Sequence, residues 1–256
     1  MRLLVDIGNS TTVIAVANAD GSIESTWRFK TQKNGTAFFF RTEILEGLNP
    51  RSISPEKIEA VNVSSVVPEV KEEFSEAIIS ITGHAPHYFN VEDAKKVISI
   101  DVDSPAQLGN DRVADAIGAV ACYGAPAIVF DLGTATTVGV ITEDKCFLGG
   151  MIIPGVKTSL AALTSRASQL PTINVEKPEH IIGKNTVECM QSGVVYGTAS
   201  MLDGIIDRIL PLFNNKEVNI VATGGMSKHI APHCKHHIHV EPHLQFKGIF
   251  HATKAL

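Results

Sequence analysis

The sequence predicts a duplicated α/β protein built from two mixed sheets, and three observations carry that expectation. The first is the stretch Ala127–Ile141, AIVFDLGTATTVGVI. An apolar run ends on Asp131, a Gly-Thr turn follows, and a Thr-rich segment alternates back into apolar residues, the pattern of a tight β-hairpin with a carboxylate at its bend. The second is that the pattern recurs 125 positions earlier in LLVDIGNSTTVIAV, where Asp6 falls on Asp131, Gly8 on Gly133, Thr11 on Thr136, Thr12 on Thr137 and Val13 on Val138. The third is the alternation of strand-like and helix-like segments after each copy. Residues 1–112 are expected to form one half and 113–256 the other, flanking a cleft.

Composition supports two modest domains. Of the 256 residues, 44% are hydrophobic, enough for each half to bury a core. A formal charge of −5 and the lack of a Lys/Arg cluster argue against a nucleic-acid partner or an anionic membrane surface. There is no apolar run of about 20 residues to span a bilayer. Met1 leads straight into RLLVDI without the layout of a signal peptide, so a cytoplasmic location is expected. Cys122, Cys146, Cys189 and Cys234 are too scattered for a disulfide framework or a Cys-x-x-Cys site.

In chain order, Asn18–Gly21 reads as a turn and Ile23–Phe29 as a third strand beside the first hairpin. The loop Lys30–Gly35 precedes a helix to about Gly47, whose Phe38-Phe39-Phe40 run suits core packing or a subunit contact. Ile58–Ser64 reads as a strand, Glu69–Ile81 as an amphipathic helix, and Asp93–Asp103 as a connection. Gly109-Asn-Asp-Arg112 opens a helix ending near Gly124. Gly149–Gly155 joins a strand to a helix at Val156–Ala167, and a long helix runs from Thr186 toward Leu212 with Gly193 and Gly197 one turn apart. Ile220–Thr223 is a buried-type strand closed by Gly224-Gly225, where bare backbone could lie along an adenine.

The hairpins have a direct chemical reading. Glycine lets backbone approach a ligand closely, N–H groups and threonine hydroxyls donate to phosphate oxygens, and an aspartate holds a metal ion or its water. Ordinary turn chemistry is the competing reading for either copy alone. At Gly109–Arg112, Asn110 or Asp111 could simply cap the helix; alternatively, a carboxylate that accepts a hydroxyl proton stands beside a guanidinium that pairs with an anion. The tail gathers His233, Cys234, His236, His237, His239 and His243, of which His237 and His239 would share a strand face, but no standard metal-ligand spacing is present.

Asp6-Ile-Gly-Asn-Ser10, Gly109-Asn-Asp-Arg112, Asp131-Leu-Gly-Thr-Ala-Thr136, Gly149-Gly150 through Pro154-Gly155, Ile182-Gly-Lys-Asn-Thr186 and Thr223-Gly-Gly225 stand in the order and spacing of the type III pantothenate kinases, and the chain resembles that family along most of its length. The resemblance implies the duplicated actin-like (ribonuclease H-like) fold of the acetate and sugar kinase, heat-shock ATPase and actin superfamily. It also implies ATP-dependent phosphorylation of pantothenate, the first step of coenzyme A synthesis, by a homodimer.

Carried over by residue, it implies ATP binding by Asp6, Ile7, Gly8, Asn9, Ser10, Thr11, Thr12, Val13 and Thr134. Asp111 becomes the catalytic base, Gly109, Asn110, Asp111, Arg112 and Thr186 the substrate contacts, Asp6 a Mg²⁺ ligand through water, and Asp131 the ligand of a monovalent cation, K⁺ or NH₄⁺. Three departures stand out: Asn110 replaces the usual alanine, Val102 stands where many members have a substrate-facing aromatic, and the segment after Trp27-Arg28 lacks a common acidic pair. Two alternatives stay open, a kinase for another small alcohol and a nucleotide-binding regulatory or accessory protein without turnover. Retention of Asp6, Asp111 and Asp131 speaks against the second.

Overall fold

The strand β1 (Arg2–Ile7) is the centre of the first half, and its run of Leu3, Leu4, Val5 and Ile7 is fully buried because both faces of the strand are covered. A computed structural model describes residues 1–214 and 216–254. Around β1 lie β2 (Thr11–Ala17), β3 (Ile23–Lys30), β4 (Ala60–Ser65) and β5 (His87–Tyr88), in the order β3-β2-β1-β4-β5. The first three strands are antiparallel, and β4 and β5 run parallel to β1.

On one face Leu3, Val5, Ile7, Ile14, Val16, Val61 and Val63 pack with side chains of α1 (Ala37–Leu48) and α2 (Lys71–Thr82). Thr36 caps α1 by accepting the Phe39 N–H at 3.3 Å. That start splits the Phe triplet: Phe40 is fully buried against Phe74, Phe39 is half-buried, and Phe38 is 78% exposed. After α3 (Val91–Ala94) and the short β6 (Ser99–Ile100) comes α4 (Asn110–Tyr123), closed by Gly124 at φ +91°, a conformation glycine adopts without strain.

The second sheet holds β7 (Ala127–Leu132), β8 (Ala135–Ile141), β9 (Cys146–Pro154), β10 (Asn219–Thr223) and β11 (His239–Val240), ordered β11-β10-β7-β8-β9-β6. Read from β9 to β11, this repeats the order and the strand directions of the first sheet. The fold is therefore the duplicated actin-like, ribonuclease H-like α/β fold. Gly149–Pro154 belongs to β9 itself and does not merely join it to a helix; Gly150 is required there because a Cβ would fall 1.7 Å from the Val138 carbonyl oxygen. The helices are α5 (Val156–Arg166), α6 (Thr186–Ile209), α7 (Ser227–Ile230) and, at the C-terminal end, α8 (Leu244–Thr253). Among the described residues no helix is long and apolar enough to cross a membrane.

The internal repeat needs one correction of register. In the first hairpin the Gly8 N–H bonds the Thr11 carbonyl at 3.1 Å; in the second, the Gly133 N–H bonds the Ala135 carbonyl at 3.0 Å, one residue nearer. Asp6 and Asp131 correspond, but past the turn the offset falls from 125 to 124. Thr12 is thus matched by Thr136, both fully buried, and not by Thr137. The Thr-Thr pairs coincide in sequence only because the shorter turn slides one pair against the other.

The chain packs as two units whose limits differ from the halves 1–112 and 113–256. One contains Met1–Ser99, Asp103–Ala121 and the stretch from His243 onward; the other contains Ile100–Val102 and Cys122–Pro242. The reason is that α8 packs on β1 and β4 of the first sheet and against α4. A Cβ at Gly248 would fall 1.8 Å from the Ala114 carbonyl oxygen and one at Gly118 would fall 2.2 Å from that of Leu244, so two glycines let the helix backbones touch. A C-terminal segment thereby joins the N-terminal sheet.

Candidate functional site

In the first unit β1 brings Asp6 to the open end of the sheet, in register with Val13 of β2 and Ser64 of β4. Beyond it the turn presents Asn9 and Ser10 to solvent, with Gly8 and Thr11 half-buried and Val13 likewise. Ile7 and Thr12 are fully buried, so either would reach a ligand only through its backbone. The Thr12 hydroxyl is engaged beneath the turn, where it lies 2.9 Å from the Thr31 hydroxyl, which donates to the Gly8 carbonyl at 2.8 Å. The Thr31 N–H also bonds the Ser10 carbonyl at 3.1 Å. Thr31 therefore braces the turn from below, a role that sequence reasoning missed because Lys30–Gly35 reads only as a loop.

Asp6 has a second support that sequence reasoning did not find. Gln245, the second residue of α8, donates from Nε2 to Asp6 Oδ1 at 3.0 Å.

Ser65, the last residue of β4, and Val66 after it stand beside the same end of β1, since the Val66 N–H bonds the Ile7 carbonyl at 3.1 Å. They line a cavity of about 730 Å³ with Asn90, Lys95, Gly109 and Asn110. The start of α4 and the Asp6 turn thus share one end of the first sheet. Asn110 is the first helical residue, and the Gly109 carbonyl accepts the Val113 N–H at 3.3 Å. Asp111 Oδ1 accepts the N–H of Arg112 at 2.9 Å, which gives the capping reading a partial basis. Gly109 leaves that carboxylate its place, because a Cβ there would sit 2.3 Å from Asp111 Oδ1 and the side chain would have to turn away. Burial pushes the Arg112 guanidinium below its ordinary value while Asp111 pulls it back up, and it remains a cation at working pH.

In the second unit Asp131 occupies the place of Asp6. Its carboxylate is wedged between two turns: a Cβ on Gly224, which has φ +83°, would fall 2.3 Å from Asp131 Oδ1, and one on Gly133 would lie 3.4 Å from Oδ2. Thr134 is exposed at the hairpin tip, and its carbonyl is held by the Gly155 N–H at 3.1 Å and the Thr158 hydroxyl at 2.7 Å. The N-terminus of α5 is thereby fixed against the second hairpin, an arrangement that favours an anion.

Thr186 belongs to this unit, as the exposed first residue of α6. Asn185 caps the helix by accepting the Glu188 N–H at 2.9 Å, and Glu188 reaches back to the Lys184 N–H at 2.9 Å. Thr186, Cys189, Gly193 and Gly197 border a groove of about 880 Å³ walled by Leu160, Leu163 and Met190 and also lined by Thr136, whose buried hydroxyl has no hydrogen-bond partner among the described residues. Nothing in the described chain lies within 4 Å of a Cβ at Gly193 or Gly197, so the close neighbour those glycines would admit is not among this chain's described residues. Val102 packs on β9, its Cγ1 3.7 Å from where a Cβ of Gly149 would stand.

The side chains of the histidine-rich segment make local contacts. The His236 ring nitrogen bonds Asp207 at 2.7 Å, His233 meets the Tyr196 ring, and His239 stacks on Tyr123. Burial, with help from Asp203, pushes the Cys234 thiol up to about 12, so it is protonated at neutral pH. No group of three or more metal-ligating side chains occurs among the described residues.

Comparison with known proteins agrees with this arrangement. Over 99% of its length the chain superimposes on all of a conserved Campylobacter jejuni protein assigned to the Baf family of transcriptional activators, with TM-score 0.60 and 19% identity. Over 99% it also matches 93% of the activator of 2-hydroxyisocaproyl-CoA dehydratase from Clostridium difficile, solved with bound ADPNP, with TM-score 0.58 and 12% identity. A ROK family glucokinase from Streptomyces griseus, in complex with glucose and AMPPNP, gives TM-score 0.50 and 14% identity over 97% of both chains. At these identities the likeness establishes the fold. The family is fixed by sequence: residues 2–208 match the type III pantothenate kinases, and the chain belongs to that family.

Proposed function

We propose that the protein transfers the γ-phosphoryl group of ATP to the primary hydroxyl of pantothenate, forming 4′-phosphopantothenate and ADP, the first step of coenzyme A synthesis in the cytoplasm. The observation that carries this reading is the start of α4. Gly109 leaves room for the Asp111 carboxylate, Arg112 is a half-buried cation beside it, and Gly109 and Asn110 border a cavity next to the Asp6 turn. In the reaction the hydroxyl oxygen attacks the γ-phosphorus, its proton passes to Asp111, and the bond to the bridging oxygen breaks with ADP as leaving group. Arg112 orients the acceptor or stabilises the charge in transfer. Gly109, Asn110 and Thr186 complete the acceptor contacts.

On the nucleotide side, the backbone of Asp6 to Val13 and the side chains of Asn9, Ser10 and Thr11 take the phosphates, and Thr134 adds a second contact. Asp6 with hydroxyl neighbours is a hard-oxygen set that suits Mg²⁺ through water. When bound, Mg²⁺ neutralises polyphosphate charge. Asp131, set among turn backbone, suits a weakly hydrated K⁺ or NH₄⁺ better than Na⁺. A kinase for another small alcohol is the second reading, favoured by Val102, whose aliphatic side chain offers an acceptor no aromatic face or hydroxyl.

The deciding test is purified protein with ATP, Mg²⁺ and K⁺, assayed by mass spectrometry against pantothenate and a panel of small alcohols. Formation of 4′-phosphopantothenate in preference to other products is expected. ATP turnover on a different alcohol would select the second reading, and no transfer to any acceptor would overturn both.

A further inference from the structure

We propose that Gln245, from the C-terminal helix α8, is a positioning residue of the nucleotide site: its side-chain amide aims the Asp6 carboxylate at the hydrated Mg²⁺ of the bound nucleotide. The inference rests on the reading of Asp6 as the metal-facing carboxylate and extends it to a segment outside residues 2–208, over which the family was matched.

The contact is a hydrogen bond of 3.0 Å across 239 residues of sequence, and part-buried. A carboxylate can only accept, so the amide nitrogen must face Asp6 and the amide orientation follows from chemistry. Gln245 is not a loose surface side chain, because α8 is fixed along its length. Gly248 and Gly118 bring its backbone against α4, a Cβ on Gly21 would fall 2.6 Å from the Phe250 ring, and Arg2 donates to the Thr253 carbonyl at 2.8 Å. The helix also lies on β1, which carries Asp6, and on the neighbouring β4. A donor held this firmly restricts the carboxylate to one rotamer and ties up one of its oxygens. Groups that orient a metal-facing carboxylate in this way are typically worth about 10- to 100-fold in affinity or activity.

The second consequence is mechanical. The same helix that carries Gln245 is packed backbone to backbone on α4, which begins with Asn110, Asp111 and Arg112. One element thus sets the metal-facing carboxylate and supports the helix that bears the base. A C-terminal helix needed only to cover the sheet would not have to place an amide donor on the one charged residue of β1's open end.

The test compares wild type, Gln245→Leu and Gln245→Glu by calorimetric titration with a non-hydrolysable ATP analogue, once with Mg²⁺ and once with chelator, and with pantothenate. Melting curves report folding. We expect Gln245→Leu to lose about 10-fold in Mg²⁺-dependent nucleotide affinity, with chelator and pantothenate affinities within about 2-fold, and Gln245→Glu, which sets a second carboxylate against Asp6, to lose more. If Gln245→Leu fails to fold, Gln245→Asn, which keeps the amide but withdraws it, should show the same Mg²⁺-specific loss. Unchanged Mg²⁺-dependent affinity overturns the proposal, as does an equal loss with and without metal. Asp6→Asn in the same titrations separates the two levels: if it keeps full Mg²⁺-dependent affinity, the metal role of Asp6 falls, and the role of Gln245 with it.

Discussion

Asp111 shows how one side chain can satisfy a structural and a chemical demand together. Its Oδ1 accepts the Arg112 N–H, and Gly109 leaves the carboxylate room beside the helix start. Asp111→Asn keeps the shape and removes the proton acceptor. Turnover is expected to fall by roughly 10²-fold or more while nucleotide affinity stays within about 2-fold; single-turnover kinetics with calorimetry checks this, and near-normal turnover would return Asp111 to the cap role alone. Asp131 has no proton to take in the proposed reaction. Two carboxylates brought to a triphosphate repel it unless each meets a cation. K⁺ or NH₄⁺ should therefore activate and Na⁺ should not, and Asp131→Asn should lose that activation together with most turnover. Equal rates in matched Na⁺ and K⁺ buffers would remove the cation role. Asp6 and Asp131 were legible in the sequence, because each follows an apolar run and precedes a glycine turn. Thr31 and Gln245 were not, since a loop threonine and a helix-start glutamine have no local signature and gain their roles from what they meet across the fold.

At the scale of elements, α8 meets α4 backbone to backbone. Gly248→Ala would drive a methyl into the Ala114 carbonyl, and the helices would have to part. Overpacking of this kind costs roughly 1–3 kcal/mol, to be read from the urea midpoint; an unchanged midpoint would mean the contact is slack. The turn between β5 and β6 supplies a pH-dependent term. Asp93 is buried, which pushes its carboxyl up, but hydrogen bonds from His87 at 2.6 Å and Lys96 at 3.0 Å outweigh that and hold it below the ordinary carboxylate range. It also closes the capping box of α3 with Asn90. A depressed value stabilises the fold above the unfolded-state pKa of about 3.9 and the contribution disappears as pH falls through the folded value. Asp93→Asn should thus lower stability at pH 7 and converge on wild type in acid. A constant difference across that range would assign its effect to the cap alone.

For the whole molecule, the groove of the second unit bears on subunit number. Gly193 and Gly197 of α6 have no close neighbour among the described residues, and Ile181, Ile182 and Leu163 around it are exposed. Exposed apolar surface bordered by helix glycines suits a second copy, and two-fold pairing is the commonest soluble arrangement. We expect light scattering to give a homodimer at assay concentration, and Gly197→Arg to shift it toward monomer; an active wild-type monomer would defeat this.

The sequence by itself determined the duplication, the two hairpin aspartates and the Gly109–Arg112 turn. These are local patterns of burial, turn chemistry and spacing, which each segment carries within itself. Only the tertiary structure decided what depends on distant residues meeting. It decided the one-residue slip that pairs Thr12 with Thr136, because turn length is settled by hydrogen bonds across the hairpin and not by matching letters. It decided that Phe38 stays outside the core its neighbours enter. It also assigned the last helix to the first sheet, where bare glycine backbones let α8 settle on α4 and Gln245 reach Asp6, a contact between residues 239 positions apart that no periodicity encodes.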